Sequence, residues 1–176
     1  LAENGSIKRL RSLRDSNDAT GFARDLWSQF AEMGLNGILI PEAEGGLGLG
    51  HVEAGIVLEE IGRNLTASPF LSTAVAAVEA LKSASADMRA QWFPRIAGGE
   101  AVIGLALEEG KKHNPAATAL KAERSGNGFK LTGAKTFVVH GHVADLLLVS
   151  ARTAGAAGEE AGITLFAVPL DAAGLT

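Results

Sequence analysis

With 176 residues, no cysteine, 47% hydrophobic and 20% charged residues and a net charge of -4, the chain has the composition of an ordinary globular protein, enough for one domain or two small ones. The mild acidity excludes the basic face of a nucleic-acid binder, and the missing cysteines exclude a disulfide framework, a thiolate metal site and a thiol nucleophile. No apolar run approaches the ~20 residues of a membrane span, and an intracellular, cytoplasmic setting is the default expectation.

Residues 1–14 carry a basic cluster, Lys8, Arg9, Arg11 and Arg14, with no apolar core behind it, so the stretch does not read as a signal peptide. Starting at Leu1 and stopping at Thr176 just past an apolar run, the chain is expected to be a fragment of a longer one. Phe22, Leu26, Trp27, Phe30 and Met33 recur at three- and four-residue steps and predict one buried helix face, with Gly34 as its stop. A short run to Ile40 meets Pro41, and the glycine-rich loop Glu44-Gly-Gly-Leu-Gly-Leu-Gly50 follows. Residues 51–63 predict a second helix with Val52, Ile56 and Ile61 inward and Glu53, Glu59 and Glu60 outward. Residues 72–83 predict a third, alanine-rich and apolar nearly all round, hence buried. Ser85 is a good N-cap for a fourth helix towards Ile96, which Pro94 should bend or end.

Gly98-Gly99 marks the change to strand-like sequence and sets a boundary between a domain over 1–98 and a second over 99–176. Residues 101–107 predict a buried strand. Residues 120–124, the turn Ser125-Gly-Asn-Gly128 and residues 129–132 predict a β-hairpin. Phe137, Val138 and Val139 form a short apolar run, and 146–150 and 163–168 are strong strands. The loop 153–162, rich in Ala, Gly and Glu, should be exposed. The fold class is α+β: an all-α N-terminal domain, then a small antiparallel, barrel-like β-domain.

Residue chemistry alone completes no active site. A dinucleotide fingerprint would need a third glycine where Glu53 stands, and Pro41 separates the loop from the run before it, so residues 45–50 read as a structural turn. His140 and His142 lack the third and fourth ligands of a zinc site, and His51 and His113 lie elsewhere. Glu108 and Glu109 are neighbours on a strand end, point to opposite faces and read as exposed loop residues rather than a paired-carboxylate device. No G-x-S-x-G elbow is present.

The order and spacing of several segments resemble the acyl-CoA dehydrogenase family. They are Trp27…Phe30-Ala-Glu-Met-Gly34…Ile38-Leu-Ile-Pro-Glu42…Gly45-Gly-Leu-Gly48…Leu58-Glu-Glu-Ile-Gly-Arg63, then Trp92-Phe-Pro-Arg-Ile-Ala-Gly-Gly-Glu100. In the second half they are Leu131-Thr-Gly-Ala-Lys-Thr-Phe-Val-Val-His-Gly141 and Ala144-Asp-Leu-Leu-Leu-Val149. The resemblance implies an FAD enzyme that desaturates an acyl-CoA thioester, with a glutamate base and a hydride passed to the flavin. It places the flavin against Leu105, Leu107, Glu108, His113, Phe137 and Val139. It also implies a C-terminal helical bundle, absent from this sequence, that holds the base, so no catalytic residue is assigned here. Glu108 stands where a flavin-bonding hydroxyl is expected and His113 near a serine that would meet the FAD phosphates. Val139 replaces a threonine, whereas Phe137 keeps the family's aromatic.

Three functions follow as alternatives: part of an FAD-dependent acyl-CoA dehydrogenase, inactive in isolation; a dehydrogenase-like subunit without its own flavin, supporting a hetero-oligomer; or a small-molecule-binding module. The resemblance implies a homo- or hetero-oligomer and an acyl-CoA partner; composition and residue spacing point to no metal, nucleic acid or membrane span.

Overall fold

A computed structural model describes residues 5–176, so the first four residues of the basic N-terminal stretch and of the first predicted domain lie outside it. The chain divides into two compact units, Leu1–Val102 and Ile103–Thr176.

The regular structure among the described residues of the first unit is all helical. Helix α1 (Ile7–Asp15) buries no residue, and its Arg9 pairs with Asp25. Helix α2 (Arg24–Glu32) buries Leu26, Trp27 and Phe30, with Phe22 just before it. Phe30 packs at 6.2 Å from Trp27 and edge-on at 6.3 Å from Phe70, so the predicted stripe forms the aromatic centre of the unit. Met33 departs from that stripe and is 59% exposed. It is the first residue past the helix, and Gly34, at φ +76°, turns the chain away behind it.

Helix α3 (His51–Asn64) turns inward only in part as predicted. Ile61 is half-buried as expected, but Val52 and Ile56 are 74% and 59% exposed, whereas Ala54 is buried and Val57 and Leu58 are half-buried. The helix is apolar on two sides, and Ala54, Val57, Leu58 and Ile61 satisfy the three-, four- and seven-residue spacing as well as the bulkier pair does. The alanine-rich segment begins as a π-helix (Phe70–Ala77) and runs into α4 (Val78–Lys82). It buries Phe70, Ala74, Ala77, Val78 and Leu81 but leaves Leu71 exposed.

Helix α5 (Ala86–Ala97) starts where Ser85 accepts the Met88 N–H at 3.3 Å. Pro94 does not end it, since α5 continues to Ala97 and Gly98 N–H donates to the Pro94 carbonyl at 2.9 Å. A proline inside a helix costs about 3 kcal/mol. Trp92, Phe93 and Ile96 are all buried around it, and each contributes about 1.5–3 kcal/mol of burial that offsets the loss.

The second unit is a five-stranded sheet of β1 (Ile103–Ala106), β2 (Lys121–Ser125), β3 (Gly128–Thr132), β4 (Leu146–Arg152) and β5 (Ile163–Pro169). The expected helical-plus-β architecture is present, but the sheet is mixed and open, not antiparallel and closed. β1 runs parallel to β4, pairing Ile103 with Leu146 through Ala106 with Val149. β2 meets the same edge of β4 further along, also parallel, at Arg152. The 39 residues 107–145 lie between β1 and β4, ample for the crossover that a parallel pair requires. β5 lines the other edge of β4 antiparallel, from Leu146–Pro169 to Arg152–Ile163. The predicted hairpin is present, closing with Ser125 opposite Gly128.

Every residue of the central strand β4 is buried, and the apolar run 146–149 accounts for the first four of them. The core of the unit gathers Ala106, Leu120, Ala122, Ala144, Leu147, Val149 and Ala151, with Leu131, Val138, Phe166 and Val168 packed against it. Among the described residues, no helix is long and apolar enough to cross a membrane.

Candidate functional site

At the end of β1 the chain leaves the sheet and borders an open cleft of about 380 Å³, lined by Leu107, Glu108, Glu109, Gly110, Lys111 and Lys112 and closed by Asn114, Ala117 and Thr118. The two glutamates are not the exposed loop residues expected: their side chains are only 23% and 20% exposed. Each has found a partner of its own. Glu108 Oε1 lies 2.5 Å from Nδ1 of His113, whose ring is 72% exposed. Glu109 accepts from the Ala119 and Leu120 amides at 2.8 and 3.0 Å and from Lys135 Nζ at 2.7 Å. Burial alone would raise the Glu109 pKa, but the Lys135 ammonium and the two amides outweigh it, and the carboxyl sits below its ordinary range.

The Lys135 side chain is 6% exposed, and its ammonium has three partners: Glu109, the Leu107 carbonyl at 3.0 Å and Ser150 Oγ at 2.8 Å. All three ammonium protons are thus used, which a buried cation requires. Ser150, buried on β4, also lies 3.4 Å from Thr118 Oγ1. The next residue is held too, because Thr136 N–H donates to the Glu108 carbonyl at 2.8 Å.

Beyond these anchors the segment alternates. Val138 packs on the core, while Phe137 and Val139 project outward, 74% and 56% exposed. Phe137 also has φ +53°, a left-handed conformation that is uncommon for an aromatic residue and costs about 1–3 kcal/mol. His140, at φ +58°, ends the segment half-buried.

Of the sequence-selected positions, Glu108 and His113 are in direct contact. Leu107 and Glu108 are tied by their carbonyls to the segment that bears Phe137 and Val139, and Leu105 lies within β1 opposite Leu148. The sequence reading missed Lys135, Glu109 and Ser150 as a unit. Their separations of 26 and 15 residues from Lys135 leave no local spacing to detect.

Burial and the neighbouring His142 hold the His140 imidazole below its ordinary pKa of 6.5. The folded state therefore binds this proton less tightly than the unfolded chain does. Its contribution to stability is complete above pH 6.5 and is lost as the pH falls through that value, levelling below the depressed folded pKa. Urea unfolding between about pH 8 and pH 5 should show the loss, and His140→Asn, which tolerates the left-handed backbone, should flatten it. An equal pH slope in parent and variant would refute the assignment.

Residues 7–100 match the family model "Acyl-CoA dehydrogenase, N-terminal domain" and residues 106–176 match "Acyl-CoA dehydrogenase, middle domain". Acyl-CoA dehydrogenase FadE27 of Mycobacterium tuberculosis is 35% identical over 133 residues, which cover 75% of this chain and 35% of that protein. Mitochondrial isovaleryl-CoA dehydrogenase of Pongo abelii is 32% identical over 150 residues, covering 82% of this chain and 36% of that protein. Among solved structures, a variant of the Tcur3481-Tcur3483 steroid ACAD superimposes with a TM-score of 0.84 at 33% identity, covering 98% of this chain and 45% of that one. The ChsE4-ChsE5 complex from Mycobacterium tuberculosis does so with a TM-score of 0.72 at 31% identity, covering 85% and 39%. The chain thus spans little more than a third of the length of these curated relatives.

Proposed function

The chain belongs to the acyl-CoA dehydrogenase family, and on that premise we propose that the protein is an FAD-dependent dehydrogenase that desaturates an acyl-CoA thioester. The observation that carries the flavin reading is Phe137: an aromatic side chain both exposed and held in a left-handed conformation. Either feature is unfavourable in an isolated domain, and strain of this kind concentrates where a ligand is received. Phe137 and Val139 offer a flat ring system an apolar face, and this fits an isoalloxazine. Leu105, Leu107, Glu108 and His113 form the rest of the proposed flavin-side set. FAD, when bound, supplies the hydride acceptor for the β-carbon of the acyl group.

What these residues do is position and exclude. Glu109, neutralised by Lys135 and held below its ordinary pKa, is a poor proton acceptor, and Glu108 is engaged by His113. We therefore assign the α-proton to a base outside these 176 residues and expect the isolated chain to be inactive. Assembly into an oligomer belongs to the same proposal. The names of two structural neighbours, Tcur3481-Tcur3483 and ChsE4-ChsE5, denote two-component proteins, which supports a hetero-oligomer as one form of it.

The test is purification of the full-length protein. It should be yellow, release FAD on denaturation and bleach when given a thioester from a panel of straight-chain, branched and alicyclic acyl-CoAs. The Glu108–His113 pair stands where the resemblance expects hydroxyls, and it is the observation behind the second reading, a dehydrogenase-like subunit without its own flavin. A colourless protein that acquires flavin only in complex with another subunit would decide for that reading. Phe137→Asn should weaken FAD binding about tenfold, since an aromatic stacking contact contributes about 0.5–1.5 kcal/mol. The same variant should leave apo-protein stability unchanged or raise it by about 1 kcal/mol, because asparagine accepts φ +53° more readily. Loss of stability with unchanged flavin affinity would overturn the ligand-facing role of Phe137.

A further inference from the structure

We infer that Lys135 is a positioning residue, whose buried ammonium fixes the 135–139 segment against the end of β1 so that Phe137 and Val139 present one continuous face to the flavin ring. The inference rests on the flavin reading above and adds a device to it. Two stretches of chain must be aligned for such a face: the end of β1, with Leu107 and Glu108, and the segment after Gly133. They are separated by more than 25 residues and are not neighbouring strands, because Phe137–Val139 enters no sheet ladder.

The alignment is made by side-chain and single backbone bonds. Lys135 Nζ donates to the Leu107 carbonyl at 3.0 Å, to Glu109 Oε1 at 2.7 Å and to Ser150 Oγ at 2.8 Å. Thr136 N–H donates to the Glu108 carbonyl at 2.8 Å. On the far side of Phe137, Val138 is seated in the core and its carbonyl accepts from Gly141 at 3.0 Å. Phe137 thus sits between two fixed points, and its left-handed backbone is the conformation that joins them while turning the ring outward.

The chemistry suits this task. An ammonium donates in three directions, here to two acceptors at the end of β1 and one on β4, which the planar fork of an arginine does not reproduce. Glu109 extends the tie by accepting the Ala119 and Leu120 amides, so one ion pair joins the end of β1, the approach to β2, strand β4 and the proposed flavin-facing segment. A group 1 Å out of place can lower function by orders of magnitude, so such an anchor acts on the ligand without touching it.

The experiment uses the full-length protein with FAD as the probe, and compares the parent with Lys135→Met, Lys135→Gln and the exposed control Lys130→Met. FAD affinity, the absorption spectrum of the bound flavin and amide hydrogen exchange over residues 136–139 are measured on folded samples. Lys135→Met is expected to weaken FAD binding roughly tenfold, to shift the flavin spectrum and to speed exchange in that segment, with Lys135→Gln between it and the parent. Lys130→Met should match the parent. A merely structural role for Lys135 would lower stability yet leave the spectrum of the bound flavin unchanged. Folded Lys135→Met or Lys135→Gln protein with the parent's affinity and spectrum overturns the inference. If the parent itself takes no FAD, the flavin reading falls, and exchange still decides the anchor: parent-like rates in both variants overturn it, and faster rates sustain it.

Discussion

Arg152→Ala should destabilise the second unit by about 3–5 kcal/mol, because five backbone carbonyls lose a donor at about 1 kcal/mol each. Arg152 closes β4 and is 7% exposed. Its Nε donates to the Thr118 carbonyl at 2.7 Å, Nη1 to Ala154 and Ala161 at 3.3 and 3.0 Å, and Nη2 to Ala116 and Glu159 at 3.0 Å each. All five donors of the guanidinium are therefore used, and all on backbone carbonyls. Those carbonyls come from the loop 153–162 on one side and the stretch 116–118 on the other, neither of which has a ladder to hold it. One side chain thus does for these loops what strand pairing does for the sheet. Lysine, with three donors on a point charge, should recover little of the loss. Urea unfolding reads the stability, and limited proteolysis within 153–162 should accelerate in both variants. An alanine variant within about 0.5 kcal/mol of the parent, the scatter of ordinary surface substitutions, would refute this account.

Arg152 also shows where a sequence stops being informative. The strand 146–150 was legible because six consecutive side chains of β4 are apolar or small and all are buried. The loop after it was legible only as exposed, since the residue that organises it bonds to carbonyls, and every residue type has a carbonyl. The same limit applies at Lys135, whose partners are a carbonyl, a serine and a glutamate on other segments. The face of α3 was misassigned in part, for a different reason: the helix is apolar on two sides, and bulk favoured Val52 and Ile56 over the side that Ala54 buries. Strand direction was misread because an apolar strand does not record which way its neighbour runs. The parallel pairing of β1 with β4 follows from the excursion through the hairpin, a matter of topology rather than of residue type. The proposed flavin-facing positions were named by resemblance to a family. What the structure adds is the strain at Phe137 and the anchor beside it, neither of which is written in a motif.

Gly46→Ala should cost about 3 kcal/mol or more, and the reason also bears on what the glycine-rich loop can do. A Cβ at Gly46 would lie 2.1 Å from the Ile40 carbonyl oxygen and 2.4 Å from the Ile40 Cβ, atoms of a buried residue that cannot swing aside. The loop is folded back on the turn before it. Gly46 N–H donates to Pro41, Leu47 to Gly37, Gly48 to Ile40 and Leu49 to Ile38, at 2.9–3.1 Å. A phosphate-binding loop needs its amides free to point at the ligand. Here four successive amides are consumed by the carbonyls of residues 37–41, and Arg89 further ties the loop to α5 through Glu44 at 2.7 Å. The glycines therefore serve close approach of backbone to backbone, which agrees with a structural turn and excludes a nucleotide cradle. Gly45 provides the contrast: at φ +89° with nothing within 4 Å of its added Cβ, an alanine there meets conformational strain alone, about 1–2 kcal/mol. Measured unfolding free energies should rank the two variants in that order. Equal costs, or a milder effect at Gly46, would mean that the loop can open away from Ile40, and its amides would then have to be reconsidered as donors to a ligand.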